Sequence, residues 1–313
     1  MSIFDQNLQY VKDEVGKILS TSPLVIRKYT EHLLKSEGKY IRACAVLAAA
    51  ENVDGTIHYD AVKFAASIEV LHLATLVHDD VMDDANVRRG IPTLHKLYGR
   101  KTAVICGDYL MAASLSLANK VDRKHDYLDY SLPMYMEEIA MGELSQHLNN
   151  GNYRLKMKDY LKIIEGKTAK LFEAAMYAGV ATSDDPHAQH ADYKTIGNHV
   201  GMIFQLLDDV MDFEETERTA KKPVQSDFEQ GVVTLPLIHA FDTYPELLEQ
   251  VEKEPLSREA INSAVAKAGG VKYTQDCATN YYETAKERIN KLEIQPDKRA
   301  RLMGILNLSM RVQ

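Results

Sequence analysis

Two stretches of the chain end in the same acidic pattern. The first is Leu71-His-Leu-Ala-Thr-Leu-Val-His-Asp-Asp-Val-Met-Asp83, and the second is Ile203-Phe-Gln-Leu-Leu-Asp-Asp-Val-Met-Asp-Phe213. If both are helical, the first and last Asp of each pattern are four residues apart and lie on one face. We call these two clusters the first ladder, formed by Asp79, Asp80 and Asp83, and the second ladder, formed by Asp208, Asp209 and Asp212.

The ladders predict a site for a hard divalent cation. Magnesium prefers oxygen ligands, keeps several waters, and is usually held by one or two carboxylates together with substrate phosphates. A solvated acidic helix end is the simpler interpretation of either ladder taken alone. However, the residues before each ladder are nearly all apolar, and carboxylates crowded against a core need a partner. The repeated pattern therefore indicates a metal–diphosphate site.

The composition favours a large helical protein. The chain has 313 residues, 45% of them hydrophobic, with no Trp, 16 Gly and 9 Pro. Long spans without Pro, such as that between Pro23 and Pro92, are typical of long helices. The formal net charge of −8 disfavours nucleic-acid binding. An anionic substrate would therefore need metal ions and local Lys or Arg side chains.

The sequence also predicts a cytoplasmic protein. Cys44, Cys106 and Cys277 have no CxxC spacing, so neither a disulfide frame nor a zinc site is expected. The N-terminus lacks the pattern of a signal peptide. Polar residues interrupt the apolar runs well before about 18 positions, so no transmembrane helix is expected.

The hydrophobic pattern predicts helices over most of the chain. The span 59–83 would be about 37 Å long, and it is expected to be a core helix interrupted by Glu69, His72 and His78. The charged segment 216–230 is predicted to be a mobile loop at the mouth of the site. The predicted helices are 3–20, 24–36, 43–50, 59–83, 103–118, 127–149, 157–179, 193–213, 234–242, 244–252, 257–268, 271–292 and 296–312.

Basic residues occur at several predicted helix starts and turns. Each pair taken alone can be explained as solvated surface cations. Beside an acidic metal site they become candidate anion clamps, because Arg side chains match phosphate oxygens well. A Gly within a helical pattern costs about 1 kcal/mol relative to Ala, so a local break is expected at Gly166. The candidate pairs are Lys39 with Arg42 and Arg88 with Arg89, and Lys167 is a single candidate in the stretch Gly166-Lys167-Thr168.

On these motifs the chain resembles the trans-isoprenyl diphosphate synthases, the polyprenyl synthetase family, and especially its long-chain bacterial members. The resemblance covers nearly the whole chain. It implies an all-α, single-domain helical bundle around a deep central cavity, spanning residues 1–313 and usually dimeric. Its markers, in chain order, are Gly38-Lys39-x-x-Arg42, the first ladder with Arg88-Arg89-Gly90, Gly107-Asp108-Tyr109-Leu110, Gly166-Lys167-Thr168, Phe204-Gln205 with the second ladder, and Lys222-Pro223.

The resemblance also implies which residues form the site. An allylic diphosphate would be held by three magnesium ions on Asp79, Asp83 and Asp208, with Asp80, Asp209 and Asp212 in support. Lys167 would act with the ladders in catalysis. Contacts to that diphosphate would come from Arg88, Lys167, Thr168, Gln205 and Lys222. Isopentenyl diphosphate would lie against Lys39, Arg42, His72 and Arg89. His72 precedes Asp79 by two helical turns, so the spacing allows it to share the ladder's face.

The implied reaction is a magnesium-dependent, head-to-tail condensation of isopentenyl diphosphate with an allylic diphosphate. Alternatives are a short-chain synthase making farnesyl or geranylgeranyl diphosphate, a terpene cyclase or head-to-head condensing enzyme, and a catalytically silent regulatory subunit. The expected assembly is a homodimer, or a heteromer with a small regulatory subunit, whose product passes to a membrane. The chain departs from the family pattern at Glu37, Tyr40, Ala43 and Val232. The changes at Glu37, Tyr40 and Val232 reduce the number of basic residues around the expected site.

Small side chains near the first ladder predict a long product. The growing chain is expected to run along the helix past Thr75 and Ala74, then Leu71, then Ile68 and Ser67, at steps of three to four residues. The resemblance implies that an aromatic residue just before the first ladder would stop growth of the polyprenyl chain early. This sequence has no such residue there. Phe64 would mark the floor. We therefore expect a hexaprenyl or heptaprenyl chain, suited to a quinone tail.

Overall fold

In a computed structural model, the residues described are 2–35, 38–127, 129–214, 227–254 and 256–311. Over these ranges the chain is helical apart from one two-stranded ribbon, which confirms the predicted all-α class. The elements are α1 (Ile3–Ser20), α2 (Leu24–Leu33), α3 (Ile41–Ala50), α4 (Tyr59–Met82), β1 (Val87–Arg88), β2 (Ile91–Pro92), α5 (Leu94–Tyr98), α6 (Arg100–Ala118), α7 (Leu132–Leu148), α8 (Met157–Ile164), α9 (Lys170–Ala181), α10 (His190–Glu214), α11 (Leu235–Thr243), α12 (Pro245–Val251), α13 (Arg258–Ala268), α14 (Gly270–Lys291) and α15 (Pro296–Ser309).

The chain forms two compact units, each assembled from separate stretches of sequence. The first ladder, α3, the ribbon and α6 belong to unit 1, and the second ladder with α8 belongs to unit 2. Unit 1 comprises Met1–Pro133, Ala174–Tyr193 and Glu293–Leu302, and unit 2 comprises Met134–Glu173, Lys194–Leu292 and Met303–Gln313.

Helix α4 is the core of unit 1 and packs against α1, α3 and α6. Small side chains allow the close packing: Ser67 Oγ donates to the carbonyl of Ser114 on α6, and Ser114 Oγ donates back to the carbonyl of Ser67, each at 2.8 Å. By length and composition α4 could cross a membrane, but 67% of its apolar window is buried inside the protein. It is therefore the core helix that the sequence predicts.

Both ends of α4 are fixed by local structure. At the start, the Nδ1 atom of His58 accepts a hydrogen bond from the backbone N–H of Asp60 at 3.2 Å. At the other end, the N–H of Asp83 donates to the carbonyl of Asp79 at 2.8 Å. The next residue, Asp84, has a left-handed backbone with a φ of 52°, which ends the helix. The first ladder thus occupies the last turn and the C-cap.

In unit 2, α11 packs against α13 and α14. Glycines allow two close approaches. A Cβ at Gly270 would lie 2.3 Å from the carbonyl oxygen of Pro236, and a Cβ at Gly201 on α10 would lie 2.4 Å from Cα of Ala169. The second contact brings α10 directly against the segment that joins α8 to α9.

The structure corrects several predicted boundaries. The predicted helix 157–179 is interrupted by a π-helical turn at Glu165–Ala169, which confirms the local break expected at Gly166. The predicted helix 127–149 begins only at Leu132, after a short 3-10 turn at Lys124–Tyr127. The ribbon and α5 were not predicted. In the segment 216–230, residues 216–226, including Lys222, lie outside the described residues, and Asp227–Gln230 forms a 3-10 turn.

Candidate active site

The first ladder has the helical spacing that the sequence predicts. Asp79 and Asp80 lie in the last turn of α4, and Asp83 is its C-cap in a right-handed helical conformation. The three carboxylates differ in environment: Asp80 is buried, Asp79 is half-buried and Asp83 is exposed. The ladder is therefore divided between a carboxylate that faces the protein and a pair that faces outward.

Arg88 fixes the buried member of the first ladder. Its Nε donates to Oδ1 of Asp80 at 2.6 Å. Arg88 is placed by the antiparallel ribbon, in which it pairs with Ile91, and the turn of the ribbon uses left-handed conformations at Arg89 and Gly90. The structure thus gives Arg88 a carboxylate partner, whereas the sequence suggested only a phosphate contact.

His78, next to the first ladder, is docked on α6. Its Nε2 lies 3.2 Å from the carbonyl oxygen of Val104 and 3.3 Å from Oδ1 of Asp108. A Cβ at Gly107 would lie 2.3 Å from this Nε2, so the imidazole occupies space that only glycine leaves open. The motif Gly107-Asp108 therefore positions the end of α4, a role that sequence reasoning missed.

Arg42, His72, Arg88 and Arg89 all lie in unit 1, which also contains the first ladder. Burial lowers the pKa of His72 well below its usual value, and the positive charges of Arg42, Arg89 and Arg88 lower it further. Burial likewise lowers the pKa of Arg42 to about 10, although the charge of Glu69 opposes the shift. A Cβ at Gly38 would lie 3.2 Å from Nη1 of Arg89. Arg42, His72 and Arg89, three of the residues predicted to bind isopentenyl diphosphate, are therefore near one another.

Lys39 does not have the position that the sequence suggested. Lys39 and Arg42 are three residues apart, which on a helix would place both on one side, but α3 begins only at Ile41 because Tyr40 has a left-handed backbone with a φ of 52°. Lys39 therefore precedes the helix and is exposed, whereas Arg42 is half-buried in its first turn. Among the departures from the family pattern, Ala43 is fully buried and Val232 is half-buried, while Glu37 lies outside the described residues.

The second ladder is supported by a chain of hydrogen bonds in unit 2. Asp209 is 2% exposed, and its carboxylate accepts hydrogen bonds from the hydroxyl of Tyr160 at 2.5 Å and from Nε2 of Gln205 at 2.7 Å. Thr168 Oγ1 in turn donates to Oε1 of Gln205 at 2.7 Å. Thr168 and Gln205, predicted as substrate contacts, thus support Asp209, and Tyr160 is a member that sequence reasoning missed.

The outward members of the second ladder resemble those of the first. Asp208 is exposed and Asp212 is half-buried. Nη2 of Arg311, which follows α15, donates to Oδ1 of Asp208 at 2.9 Å. Side chains exposed to this degree form weak ion pairs, so the contact leaves Asp208 available to a stronger cationic partner.

Lys167 lies in the π-helical turn, a type of distortion that is frequent at functional sites. Its Nζ donates to Oε1 of Glu143 on α7 at 3.2 Å. The two segments come together because a Cβ at Gly142 would lie 2.3 Å from the backbone nitrogen of Lys167. Glu143 holds the ammonium group of Lys167. The only hint of this contact in the sequence is Gly142, a glycine inside a predicted helix.

The outward carboxylates suit a hard cation that keeps part of its water shell. Among the described residues, no group of three or more His, Cys, Asp or Glu side chains converges to hold a metal ion. Asp79 and Asp83 offer oxygens on one face of a helix, and magnesium commonly completes such a set with water and phosphate oxygens. A cation would also offset the unfavourable position of acidic groups at the negative end of the helix dipole.

The predicted chain-length residues do not share one environment. Ala74 and Leu71 are 0% and 1% exposed, whereas Thr75 is half-buried on the side of α4 that carries His72 and Asp79. Ser67 faces α6, because its hydroxyl donates a hydrogen bond to the carbonyl of Ser114. Phe64 contacts the rings of Tyr127 and Tyr130, with centroids 5.5 and 5.0 Å apart.

Comparisons with known proteins agree with these motifs. The sequence model of the Polyprenyl synthetase family matches residues 23–268. The chain is 30% identical over 308 residues to heptaprenyl diphosphate synthase component 2 of Bacillus subtilis, which covers 96% of this chain and 86% of the relative. Its fold is similar to that of heptaprenyl diphosphate synthase from Staphylococcus aureus, with a TM-score of 0.87 and 26% identity, covering 99% of this chain and 98% of the other. It is also similar to geranylgeranyl pyrophosphate synthase from Lactobacillus brevis, with a TM-score of 0.84 and 28% identity, covering 98% and 97%.

Proposed function

The chain belongs to the polyprenyl synthetase family, and we propose that it makes a long trans-polyprenyl diphosphate, with residues 1–313 acting as one catalytic domain. It is a chain-elongating prenyltransferase, which condenses isopentenyl diphosphate with an allylic diphosphate head to tail. The observation that carries the proposed site is the first ladder, in which Asp79 and Asp83 face outward while Arg88 holds Asp80.

We propose that three magnesium ions per site are bound by Asp79, Asp83 and Asp208. When bound, they supply positive charge that stabilises the leaving diphosphate. Asp80 and Asp209, held by Arg88 and Tyr160, keep the outward carboxylates in place. Lys167, with Lys222 of the segment outside the described residues, would add positive charge toward the same diphosphate.

The reaction follows from this distribution of charge. Cleavage of the allylic carbon–oxygen bond releases diphosphate and leaves an allylic cation. The double bond of isopentenyl diphosphate attacks that cation and forms the new carbon–carbon bond. Loss of a proton to the released diphosphate restores a double bond. Apolar walls that exclude water would prevent hydrolysis of the cation.

The isopentenyl diphosphate subsite is proposed to consist of Lys39, Arg42, His72 and Arg89. Arg42→Ala should raise the Michaelis constant for isopentenyl diphosphate much more than that for the allylic primer. The loss of one charged contact corresponds to about 1.5–3 kcal/mol. Arg154→Ala is a matched control, because Arg154 is exposed and paired with Glu252 in unit 2. Equal changes in both Michaelis constants for Arg42→Ala would contradict the division into two subsites.

The product is proposed to be a hexaprenyl or heptaprenyl chain for a quinone tail. The sequence places no aromatic residue immediately before the first ladder, and relatives of similar sequence are named heptaprenyl diphosphate synthases. The similarity to a geranylgeranyl synthase keeps a short-chain product as the alternative. Incubation with radiolabelled isopentenyl diphosphate, separate allylic primers and magnesium, followed by chromatography of the products, decides between the two lengths.

An exposed apolar face on α7 supports association with a second copy of the chain. Met134, Met141, Leu144 and Leu148 are all exposed large side chains, and their spacing places them along one side of the helix. We propose a cytoplasmic homodimer that delivers its product to a membrane. The alternative is a heteromer with a small regulatory subunit, since one relative is named component 2.

The purified chain alone tests both the assembly and the silent-subunit alternative. Light scattering should give twice the mass of the chain, and Met141→Glu together with Leu148→Glu should give a monomer. Turnover by the chain alone excludes a silent regulatory subunit. If the chain is monomeric and turns over substrate only when a second protein is added, the assembly is the heteromer and not the homodimer.

A further inference from the structure

We propose that Glu69 is a positioning residue for the isopentenyl diphosphate subsite, because it fixes the start of the helix that carries Arg42. This inference rests on the proposed function, which assigns Arg42 and His72 to that subsite. Glu69 lies on α4, one turn before His72, and is 7% exposed. In the sequence, Glu69 interrupts an apolar helix face.

The N-terminus of α3 is capped by a side chain from another helix. The first N–H groups of a helix have no partner within the helix and are usually satisfied by a capping side chain. The N-cap residue of α3 is Tyr40, which has a left-handed backbone and makes no side-chain cap. The cap comes instead from α4: Oε1 of Glu69 accepts the N–H of Ala43 at 2.9 Å, and the N–H of Arg42 also donates to this carboxylate.

The pKa of Glu69 is raised above its usual value, because burial outweighs the opposing effects of the N–H groups of Ala43 and Arg42 and of the charges of Arg42 and Arg89. The Oε1 atom of Glu69 is already engaged by the N–H of Ala43. Its contribution is geometric, because the carboxylate joins the backbone of Arg42 on α3 to the helix that carries His72.

This arrangement explains how two separate helices can present one anion subsite. Without the cap, the first turn of α3 would be free to fray, and the guanidinium of Arg42 would lose its fixed relation to His72. The allylic half-reaction does not use these residues in the proposed mechanism. Loss of Glu69 should therefore affect one substrate selectively.

The test compares Glu69→Leu, Glu69→Gln and Arg42→Ala. Glu69→Leu removes both acceptor oxygens, and we expect the Michaelis constant for isopentenyl diphosphate to rise about tenfold or more, as for loss of about 1.4 kcal/mol or more of binding. The Michaelis constant for the allylic primer should change less than twofold. Glu69→Gln keeps one acceptor oxygen and should raise the constant about threefold. Calorimetric titration of isopentenyl diphosphate in EDTA measures the same loss without turnover.

Ser67→Ala is the structural control, because it removes a buried polar contact of α4 with α6 without touching α3. If the Michaelis constant for isopentenyl diphosphate rises equally in Ser67→Ala, the inference is overturned, because the effect would then reflect general loosening of α4. If Glu69→Leu does not fold, Glu69→Gln decides, and unchanged affinity in that variant overturns the inference. If Arg42→Ala itself leaves isopentenyl diphosphate binding unchanged, the proposed subsite is wrong rather than the positioning role alone.

Discussion

The two ends of α4 carry carboxylates in opposite situations. Asp60, in the first turn, is fully buried and accepts hydrogen bonds from the N–H groups of Asp122 and Arg123, at 2.9 and 3.1 Å, and from the hydroxyl of Tyr127 at 3.1 Å. The positive end of the helix dipole also favours a negative charge there. At the other end, Asp79 and Asp83 face outward at the negative end of the dipole.

We infer from this difference that Asp60 stabilises the fold, whereas Asp79 and Asp83 are proposed to bind a ligand. The protein itself satisfies Asp60, so its charge contributes to stability. The first ladder is placed where its own helix disfavours it, and an external cation would relieve that cost. The second ladder repeats the division within one motif, because Asp209 is buried against Tyr160 while the neighbouring Asp208 is exposed.

The largest expected effect is on catalysis at the outward end. Asp79→Asn should lower turnover by at least about a hundredfold, the usual scale for removing one group that stabilises charge in a transition state. The free energy of unfolding in EDTA should be unchanged or slightly higher, because a charge is removed from the negative end of a dipole. Steady-state kinetics and urea denaturation measure the two effects. Parental turnover in Asp79→Asn would show that the ladder is not the metal site.

The matching change at the inward end should have the reverse outcome. Asp60→Ala leaves two backbone N–H groups without their acceptor and removes the buried one of the two carboxylates that contact Lys63, and breaking a buried ion pair in this way costs about 3–5 kcal/mol of stability. Turnover per folded molecule should be retained. Asp122→Ala is the control, since its side chain is an exposed partner of the same Lys63. If Asp60→Ala unfolds at the same urea concentration as Asp122→Ala, Asp60 does not stabilise the fold in the way that the comparison of the two ends of α4 requires.

Ligand binding should distinguish the two ends again. Magnesium with inorganic diphosphate should stabilise the parent protein, by about 2.7 kcal/mol at a hundredfold excess over the dissociation constant. Asp60→Ala should show the same gain from its lower starting stability, whereas Asp79→Asn should show much less. Thermal unfolding with magnesium and diphosphate, compared with EDTA, gives these values. An undiminished gain in Asp79→Asn would place the binding elsewhere.

Much of this contrast could be predicted from the sequence, because it depends on local spacing. The four-residue separation of Asp79 and Asp83 and the apolar run before them identify both the helix and the ladder. The partners of Asp80 and Asp209 could not be predicted. Tyr160 is 49 positions from Asp209, and no local pattern specifies that contact. The left-handed Tyr40 was missed for another reason: Tyr has no strong preference for that conformation, which tertiary packing imposes.

A smaller effect is expected where α4 is proposed to face the growing product. Ala74→Phe should shorten the product to about farnesyl length while metal-dependent ionisation continues. Ala74 is completely buried, so the larger ring should also cost about 1–3 kcal/mol of stability from overpacking. Leu71→Ala is the opposing variant and should lengthen the product. Chromatography of the radiolabelled products measures both. An unchanged long product in Ala74→Phe, or a parent product no longer than farnesyl diphosphate, would refute the role of this face.

The smallest expected effect lies between the two ends, at His72. Because burial and the nearby Arg charges lower its pKa well below 6.5, the unfolded state takes up a proton as the pH falls through about 6.5, whereas the folded state takes it up only at a lower pH. Stability from this residue is complete above the unfolded pKa and falls as the pH drops below it, by up to about 1.4 kcal/mol per pH unit. In His72→Gln, the free energy of unfolding should therefore decrease less steeply from pH 6.5 to 5, as measured by urea denaturation at several pH values. The matched control is His187→Gln, which alters an exposed imidazole and should keep the parental slope. A parental slope in His72→Gln would mean that the pKa of His72 is not lowered in the folded protein, which would contradict the proposed effect of its surroundings.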